Sequence, residues 1–226
     1  MAAQCSNKSD PPIAVIFDMD GVLVDSAAPH FQSWQRLAEE CGGTVTDEQF
    51  AETFGRQNRD IIPRLFGTVS DDRLRALADR KEEIYRDLVR ENPPIVAGAV
   101  NLVRDLYASG VRLAVGSSGP RENIELILDG MRVRDCFAAV ISSDDVTRGK
   151  PDPQVFVLAI DRLGVPPSRC VVVEDAPVGI AAAKAAEARA VAVLLHHSSD
   201  AFADADLRVQ CLADLSAERL ISLARS

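Results

Sequence analysis

Several side chains capable of chemistry stand at the ends of short apolar runs in this 226-residue chain. Two acids follow the run 13–17, a serine follows the run 111–115, and a Glu-Asp pair follows the run 170–173. A lysine stands shortly before a helical pattern that begins at Pro153. In chain order these residues are Asp18, Asp20, Ser117, Lys150, Glu174 and Asp175.

This set of residue types predicts phosphoryl transfer that depends on a cation. Crowded carboxylates repel one another, so a cluster of them needs a compensating charge. Mg²⁺ suits a site with few protein carboxylates and a substrate phosphate. Asp18, the first residue after its run, is the best candidate for a nucleophile that attacks phosphorus. Asp20, two residues later, can exchange a proton with the leaving oxygen if neighbouring acids raise one proton affinity.

The remaining residues of the set have predicted supporting roles. Ser117 and the backbone N–H groups around Gly21 and Ser118 can bind phosphoryl oxygens. Lys150 can neutralise the charge of the nucleophile and of the phosphoryl group. In the predicted metal site Asp175 acts with Asp18, and Glu174 orients a metal-bound water.

The elements that must position these residues follow from the apolar runs. Five runs are short and continuous, which is typical of strands buried on both faces: 13–17, 111–115, 137–141, 170–173 and 191–195. Helical patterns lie between the later runs, over 98–107, 121–128, 153–163 and 178–188. This alternation predicts an α/β fold with a doubly wound parallel sheet. The carboxyl ends of such strands meet at one crevice.

The first interval, from Asp18 to Val111, is about 60 residues longer than the ~30 residues of a strand–helix–strand unit. Its apolar residues recur at helical spacing, which favours an independent helical insert over a long loop. We therefore predict a helical domain over 27–93 and a catalytic core over 1–26 and 94–226. The connections fall at 26–29 and 92–94.

Four segments resemble the motifs of the haloacid dehalogenase superfamily, in the same order. They begin at Asp18 (DMDGVLVDS), Gly116 (GSS), Lys150 (KPDP) and Glu174 (EDAPVGI). The resemblance implies a Rossmann-like core, a small α-helical cap after the first strand, and Mg²⁺-dependent phosphoryl transfer through a phosphorylated Asp18. It also implies that the backbone carbonyl of Asp20 ligates the metal.

Within that superfamily, residues 18–41 look like the beta-phosphoglucomutase-like group. The resemblance suggests substrate contacts for His30 and Lys81, and for Arg56 or Arg59 in a cap loop that begins at Gly55, without deciding between the two arginines. Each suggestion has an ordinary alternative. His30 can be a structural histidine, and Lys81, on an apolar helical stripe, can extend its ammonium to solvent.

The sequence departs from the mutase where that enzyme grips a second phosphate, because the stretch here reads Gly119-Pro120-Arg121. Arg121 can substitute as a phosphate ligand, but Pro120 removes a donor. We therefore predict a Mg²⁺-dependent phosphatase of a small phosphorylated metabolite, such as a sugar phosphate. The alternative is a hexose phosphate mutase, and a more distant one is a non-catalytic domain that accepts a phosphoryl group.

The composition argues against nucleic acids and membranes as partners. The formal net charge of −9 opposes a basic nucleic-acid surface, and no apolar run reaches the ~18–20 residues of a membrane helix.

The five cysteines, an odd number without a CxxC pair, favour a reducing, cytoplasmic setting, and most are expected to be buried. A monomer or weak homo-oligomer is expected, and residues 196–206 read as a surface loop.

Overall fold

The computed structural model describes residues 11–53, 56–195 and 198–226. Its six strands form one parallel sheet in the order β3-β2-β1-β4-β5-β6. The predicted doubly wound α/β sheet is therefore confirmed. The strands are β1 (Ala14–Phe17), β2 (Arg112–Gly116), β3 (Ala139–Ile141), β4 (Cys170–Glu174), β5 (Arg189–Val193) and β6 (Leu207–Val209).

Nine helices accompany the sheet in the described part of the chain. The first four all lie between β1 and β2. The helices are α1 (Ala27–Glu40), α2 (Asp47–Ala51), α3 (Asn58–Phe66), α4 (Asp71–Val89), α5 (Ala99–Ala108), α6 (Arg121–Met131), α7 (Gln154–Leu163), α8 (Pro177–Ala185) and α9 (Ala217–Arg225).

The central strands are buried on both faces, which explains their continuous apolar sequences. In β1, Val15 and Phe17 belong to one hydrophobic cluster, while Ala14 and Ile16 belong to another. The first cluster also contains apolar residues of α5, α6 and α9, and the second contains those of α7 and α8. Alternate side chains point to opposite faces of a strand. Helices therefore cover both faces of the sheet and hold the strand ends in fixed positions.

The four helices between β1 and β2 share a hydrophobic cluster of their own, which includes Trp34, Ile62, Leu77 and Ile84. The chain enters and leaves this insert side by side. The Asp25 N–H donates to the carbonyl of Pro94 (2.8 Å), and the N–H of Val96 donates to the carbonyl of Leu23 (3.0 Å). We refer to α1–α4 as the cap helices.

The C-terminal region differs from the prediction. Neither β6 nor α9 was predicted, and residues 198–206 are not simply a surface loop. Phe202 is buried in the core, and the Asp206 carboxylate accepts hydrogen bonds from the Ala190 N–H and from Lys184. β6 has only three residues and lies at the edge of the sheet, so its sequence is too short to show the apolar pattern of a strand. His196 and His197 lie outside the described residues, as do Cys5 and Gly55.

Of the four cysteines that the structure describes, only Cys170 has the expected burial. Cys41 and Cys211 are exposed, and Cys136 is half-buried. The prediction was wrong for the exposed pair because both lie at ends of elements, Cys41 just after α1 and Cys211 just after β6. Among the described helices, none has both the length and the apolar character needed to cross a bilayer.

Candidate active site

Neighbouring strands bring Asp18 and the Glu174-Asp175 pair together. Phe17 and Val173 are partners in the β1–β4 ladder, and the next N–H, that of Asp18, donates to the Val173 carbonyl at 2.9 Å. One carboxylate oxygen from each of Asp18, Glu174 and Asp175 lies within 4.8 Å of the others, and all three residues are buried. The strand ends therefore create a compact acidic cluster.

The acidic cluster is not neutralised by the protein alone. The pKa of Asp18 is raised to about 7. Burial is the main cause, the charges of Glu174 and Asp20 act in the same direction, and the charge of Lys150 opposes them. Burial, with the neighbouring charges of Glu174 and Asp18, also raises the pKa of Asp175 well above its usual value. Three buried carboxylates with an excess of negative charge fit the oxygen-ligand site of a divalent cation.

Lys150 supplies part of the missing positive charge. Its Nζ donates to Asp18 Oδ1 at 2.9 Å and to Glu174 Oε1 at 2.7 Å, and it lies 4.8 Å from the centre of the Phe156 ring. Although burial alone would lower the pKa of Lys150, the carboxylates of Asp18 and Glu174 raise it. The lysine therefore stays charged and fixes the orientation of the Asp18 carboxylate.

Two glycines leave room for the acidic cluster. A Cβ at Gly21, whose φ is +75°, would lie 1.8 Å from Asp175 Oδ2. A Cβ at Gly179, in the first turn of α8, would lie 1.8 Å from Glu174 Oε1. Any side chain at either position would displace a carboxylate. Gly21 thus lies against the acidic cluster, and Gly179 adds a steric requirement that was not predicted.

Asp20 faces a different environment from Asp18. Its Oδ1 accepts hydrogen bonds from the Ser26 hydroxyl and from His30 Nε2, the latter at 3.1 Å. Burial alone would raise the pKa of Asp20, but His30, Ser26 and the more distant Lys81 together lower it to about 2. Of the two neighbouring acids, Asp18 is therefore the one with the raised pKa in the metal-free protein.

His30 links Asp20 to the cap helix α4. Lys81 Nζ donates to His30 Nδ1 at 2.7 Å. Because an ammonium is only a donor, His30 Nδ1 accepts, and the ring proton on Nε2 is free to donate to Asp20. The His30 ring also stacks on Tyr85, with ring centres 4.1 Å apart. Lysine and tyrosine together fix both the tautomer and the plane of the imidazole.

Lys81 does not extend to solvent, because the structure buries it on the apolar stripe of α4. Its ammonium contacts His30 and Glu82 Oε1, the latter at 2.9 Å, and lies 5.3 Å from the ring centres of Trp34 and Tyr85. The alternative of an ammonium in water is therefore wrong. The polar partners of Lys81 all lie inside the protein.

A cavity of about 280 Å³ lies between the cap helices and the loops that follow β2 and β3. Asp20 lines it from the core side, so the cavity reaches the acid next to Asp18. Among the predicted substrate-binding residues, the lining includes His30, Arg56, Arg59, Lys81 and Ser118. Both arginines are present, so the structure leaves the choice between them open.

The serine loop after β2 closes the core side of the cavity. The Ser117 N–H donates to the Ile141 carbonyl at 3.0 Å, and its Oγ accepts the Gly119 N–H at 3.0 Å. Ser117 is buried, while Ser118 and Gly119 line the cavity. The loop thus turns tightly around the Ser117 hydroxyl and presents its next two residues to a ligand.

Arg121 is held away from the cavity. Its guanidinium donates to Asp145 Oδ2 at 2.7 Å and to the Val140 carbonyl at 3.1 Å. Its main-chain N–H, at the beginning of α6, donates to Asp144 Oδ2 at 2.9 Å, and Asp144 itself lines the cavity. At the position suggested for a phosphate ligand, the structure therefore presents a carboxylate.

Several side chains around the site were not predicted. Ser26 binds Asp20, and Gln57 packs against Gly149 beside the lysine loop. The buried Glu82 and Asn123 form a polar group with the half-buried Asn58. In the sequence, nothing distinguishes a serine, an amide or a glutamate with such a role from an ordinary exposed polar residue. Their positions depend on contacts between segments far apart in the chain.

Comparisons with known proteins agree with this geometry. The chain is 30% identical to a phosphorylated carbohydrates phosphatase from Thermotoga maritima, over 83% of this chain and 87% of the relative. It is 31% identical to a beta-phosphoglucomutase from Bacillus subtilis, over 92% of this chain and 93% of the relative. The alignments extend over nearly the full length of these relatives.

Solved structures and a family model complete the comparison. The fold superposes on a beta-phosphoglucomutase from Clostridium difficile with a TM-score of 0.84 and 25% identity, over 95% of this chain and 97% of the other. The family model of haloacid dehalogenase-like hydrolases matches residues 14–187, which span β1 to the residues after α8 and include every predicted strand-end residue. The chain therefore belongs to the haloacid dehalogenase-like hydrolase family, in its beta-phosphoglucomutase-like subgroup.

Proposed function

We propose that this protein is a Mg²⁺-dependent phosphatase that releases phosphate from a small phosphorylated metabolite, most simply a sugar monophosphate. One observation carries the proposal. Asp18 belongs to the buried cluster with Glu174 and Asp175, and it lies two residues before Asp20, which lines the cavity. The phosphatase and mutase activities named for its relatives use phosphorylated carbohydrates, which fits this class of substrate.

In the proposed first step, an Asp18 carboxylate oxygen attacks phosphorus and the bond to the leaving oxygen breaks. Asp20 gives a proton to that oxygen. Lys150 holds Asp18 Oδ1 and balances the charge of the phosphoryl group, and the Ser117 loop offers donors to its oxygens. Because the pKa of Asp20 is low, it must gain a proton as substrate binds, and an approaching phosphate dianion favours this through like-charge repulsion.

In the second step, water attacks the phosphorus of the phosphorylated Asp18. Asp20 takes a proton from this water, the bond from phosphorus to the Asp18 oxygen breaks, and phosphate leaves. Asp18, Asp175, Glu174 and the backbone carbonyl of Asp20 would hold or orient the metal. When bound, Mg²⁺ supplies positive charge that offsets both the carboxylates and the phosphate.

The cavity favours a phosphatase over a mutase. A mutase that acts through a bisphosphate needs a second site, on the core side of the pocket, that binds a phosphate anion. Here the N-terminus of α6 is already occupied by the carboxylate of Asp144, and the Arg121 guanidinium is committed to Asp145. On the core side a second phosphate would therefore meet negative charge, whereas Arg56 and Arg59 line the cavity from the cap side. We infer that the part of the substrate beside Asp144 carries neutral hydroxyl groups.

The other predicted alternative was a domain that only accepts a phosphoryl group. Such a domain needs neither a proton donor beside the acceptor nor a pocket for a leaving group. Asp20, held by Ser26 and His30 where it lines a cavity of about 280 Å³, supports catalysis instead. We also propose the cap helices as a separate domain, over 27–93, that excludes water and selects the leaving group. The cytoplasmic setting and the oligomeric state stay predictions.

A screen of phosphorylated metabolites tests the proposal. Phosphate release and isomerised product are measured separately, with chelator and with added Mg²⁺. We expect phosphate release from sugar monophosphates, loss of activity with chelator, and recovery with Mg²⁺. Isomerised product as the main product would favour the mutase. Full activity in chelator would contradict the proposed role of the acidic cluster.

A further inference from the structure

A buried polar group joins the cap helix α4 to the core helix α6. Glu82, on α4, and Asn123, on α6, are both buried, and Asn123 Nδ2 donates to Glu82 Oε2 at 2.5 Å. Neither residue contacts the acidic cluster in any hydrogen bond that the described residues show. The proposed mechanism therefore leaves this contact between cap and core without a role.

The geometry of the group is fully specified by its donors. Glu82 Oε1 accepts from Lys81 Nζ at 2.9 Å and from Asn58 Nδ2 at 2.7 Å, while Oε2 accepts from Asn123. Arg86 Nη1 donates to Asn123 Oδ1 at 3.1 Å, which makes the amide present its NH₂ to the glutamate. Each polar atom faces a complementary partner, so the group has one favourable arrangement.

The same group continues into the active site. From Asn123 the contacts run through Glu82 to Lys81, from Lys81 Nζ to His30 Nδ1 (2.7 Å), and from His30 Nε2 to Asp20 (3.1 Å). No contact in this series exceeds 3.1 Å. The series begins on the core helix, passes through the cap and returns to the core at the proton-transfer residue.

We propose that Asn123 is a positioning residue that sets Lys81 and His30 against Asp20 through Glu82. This inference rests on the proposed phosphatase function, and specifically on proton transfer by Asp20. Because Asn123 belongs to the core and Glu82 to the cap, their hydrogen bond requires the two to be in contact. The arrangement therefore couples the placement of the cap to the orientation of the His30 ring.

The charge state of Glu82 agrees with this role. Although burial alone would raise its pKa, the charge of Lys81 and the hydrogen bond from Asn58 lower it, so the carboxylate is ionised and acts only as an acceptor. Glu82 is buried, with 6% of its surface exposed, so water replaces a lost donor poorly. Loss of the Asn123 contact should therefore shift Glu82 and, with it, the ammonium of Lys81.

An exchange of the two polar groups tests the proposal with nearly constant side-chain volumes. Asn123→Asp places a carboxylate against the Glu82 carboxylate, and Glu82→Gln places an amide NH₂ against the Asn123 NH₂. In the double variant the new glutamine Oε1 still accepts from Lys81 and Asn58, while its NH₂ donates to the new aspartate. The singles break the contact and the double variant restores it.

The readout is the rate of phosphorylation of the enzyme by three esters: p-nitrophenyl phosphate, phenyl phosphate and glycerol 2-phosphate. Nitrophenolate leaves without a proton, whereas the glycerol alkoxide needs one. Only the rate with glycerol 2-phosphate therefore depends strongly on Asp20. We expect each single variant to lower the glycerol 2-phosphate rate about 10²-fold, as a small misplacement does. The p-nitrophenyl phosphate burst should fall only about threefold. The double variant should recover most of the loss.

Equal losses with all three esters would overturn the inference, because a general structural defect does not depend on the leaving group. Failure of the double variant to recover would also overturn it. If Asn123→Asp fails to fold, Asn123→Ala, which removes the donor to Glu82 without adding a charge, carries the same comparison. Asn101→Asp, at an exposed position of α5, is the matched control for the added charge and should resemble the wild type.

The two proposals fail in different ways. Wild-type protein that releases no phosphate from p-nitrophenyl phosphate in Mg²⁺ would contradict the phosphatase function. Wild-type activity combined with losses that ignore the leaving group would contradict only the role of Asn123.

Discussion

The strand-end cluster and the cap side of the cavity are built in different ways. Asp18, Glu174 and Asp175 lie at or just after the ends of strands that are buried on both faces, and two glycines shape the space around them. On the cap side, His30 and Lys81 project from helices and are held by side-chain contacts with one another and with Glu82. The first region is positioned by the backbone and the second by side chains.

Because of this difference, we assign the bond-breaking chemistry to the strand ends and the selection of the leaving group to the cap side. A strand in the middle of a sheet cannot shift without breaking its ladder, so groups at its end keep a fixed geometry. Side chains on two packed helices can rearrange at a lower cost. We expect changes at the strand ends to affect every substrate, and changes on the cap side to depend on the leaving group.

The largest effect is expected from Asp18→Asn, which removes the nucleophile and leaves the fold intact. Turnover of p-nitrophenyl phosphate should fall by about 10⁴-fold or more, as for other lost nucleophiles. Circular dichroism serves as the folding control. Undiminished turnover would contradict the assignment, as would a beryllium trifluoride adduct in crystals at any residue other than Asp18.

Asp20→Asn should lower the rate of the chemical step by about 10²–10⁴-fold, the usual range for a general acid–base group. The substitution keeps the backbone carbonyl, so the proposed metal ligand is unchanged. Single-turnover rates with a sugar monophosphate give the measurement. A decrease of less than about tenfold would exclude the proton-transfer role.

Gly21→Ala tests the space around the acidic cluster, with Gly42→Ala as its matched control. Both glycines have a left-handed φ, +75° and +76°, so both substitutions strain the backbone. Only at Gly21 would the new Cβ lie 1.8 Å from Asp175; at Gly42 nothing lies within 4 Å. We expect Gly21→Ala to lower kcat about 10²-fold and to raise the Mg²⁺ requirement. Gly42→Ala should lower only Tm, and similar kinetics for the two variants would contradict the steric argument.

Lys81→Met removes the ammonium from the cap side while keeping a side chain of similar length. Loss of one charge-assisted hydrogen bond to His30 is worth about 1.5–3 kcal/mol. The expected decrease in kcat/KM for a sugar monophosphate is therefore about 10–10²-fold. The decrease for p-nitrophenyl phosphate should be smaller. Equal decreases would assign Lys81 to the fold instead of to the leaving group.

The smallest effect is a dependence of stability on pH in metal-free protein. The pKa of Asp18 is about 7 in the folded state and near 3.8 when unfolded, so the folded state binds more protons between these values. Its contribution is complete below pH 3.8 and is lost as the pH rises through about 7. Urea unfolding in chelator from pH 5 to 8 should show a falling free energy of unfolding. The slope should be shallower in Asp18→Asn, and an unchanged slope would contradict the raised pKa.

The predicted strands were found because a buried parallel strand needs a continuous apolar run. Asp18 and Glu174 follow such runs directly, and Ser117 follows one after a single glycine. The helical insert was found because its length exceeds any simple connection. By contrast, the short edge strand β6 buries little apolar surface and carries no clear pattern. The suggested role of Arg121 did not anticipate Asp145, a partner 24 residues away.

The amino-acid sequence by itself determined the first five strands, the helices between the later ones and the acids at the strand ends, because these depend on neighbouring residues and on the period of two or 3.6. Only the tertiary structure decided which groups neutralise one another. Lys150 meets Asp18 across 132 positions, Lys81 meets His30 across 51, and Asn123 meets Glu82 across 41. Hydrogen bonds and charges act over a few ångströms of space, and separation along the chain does not fix that distance.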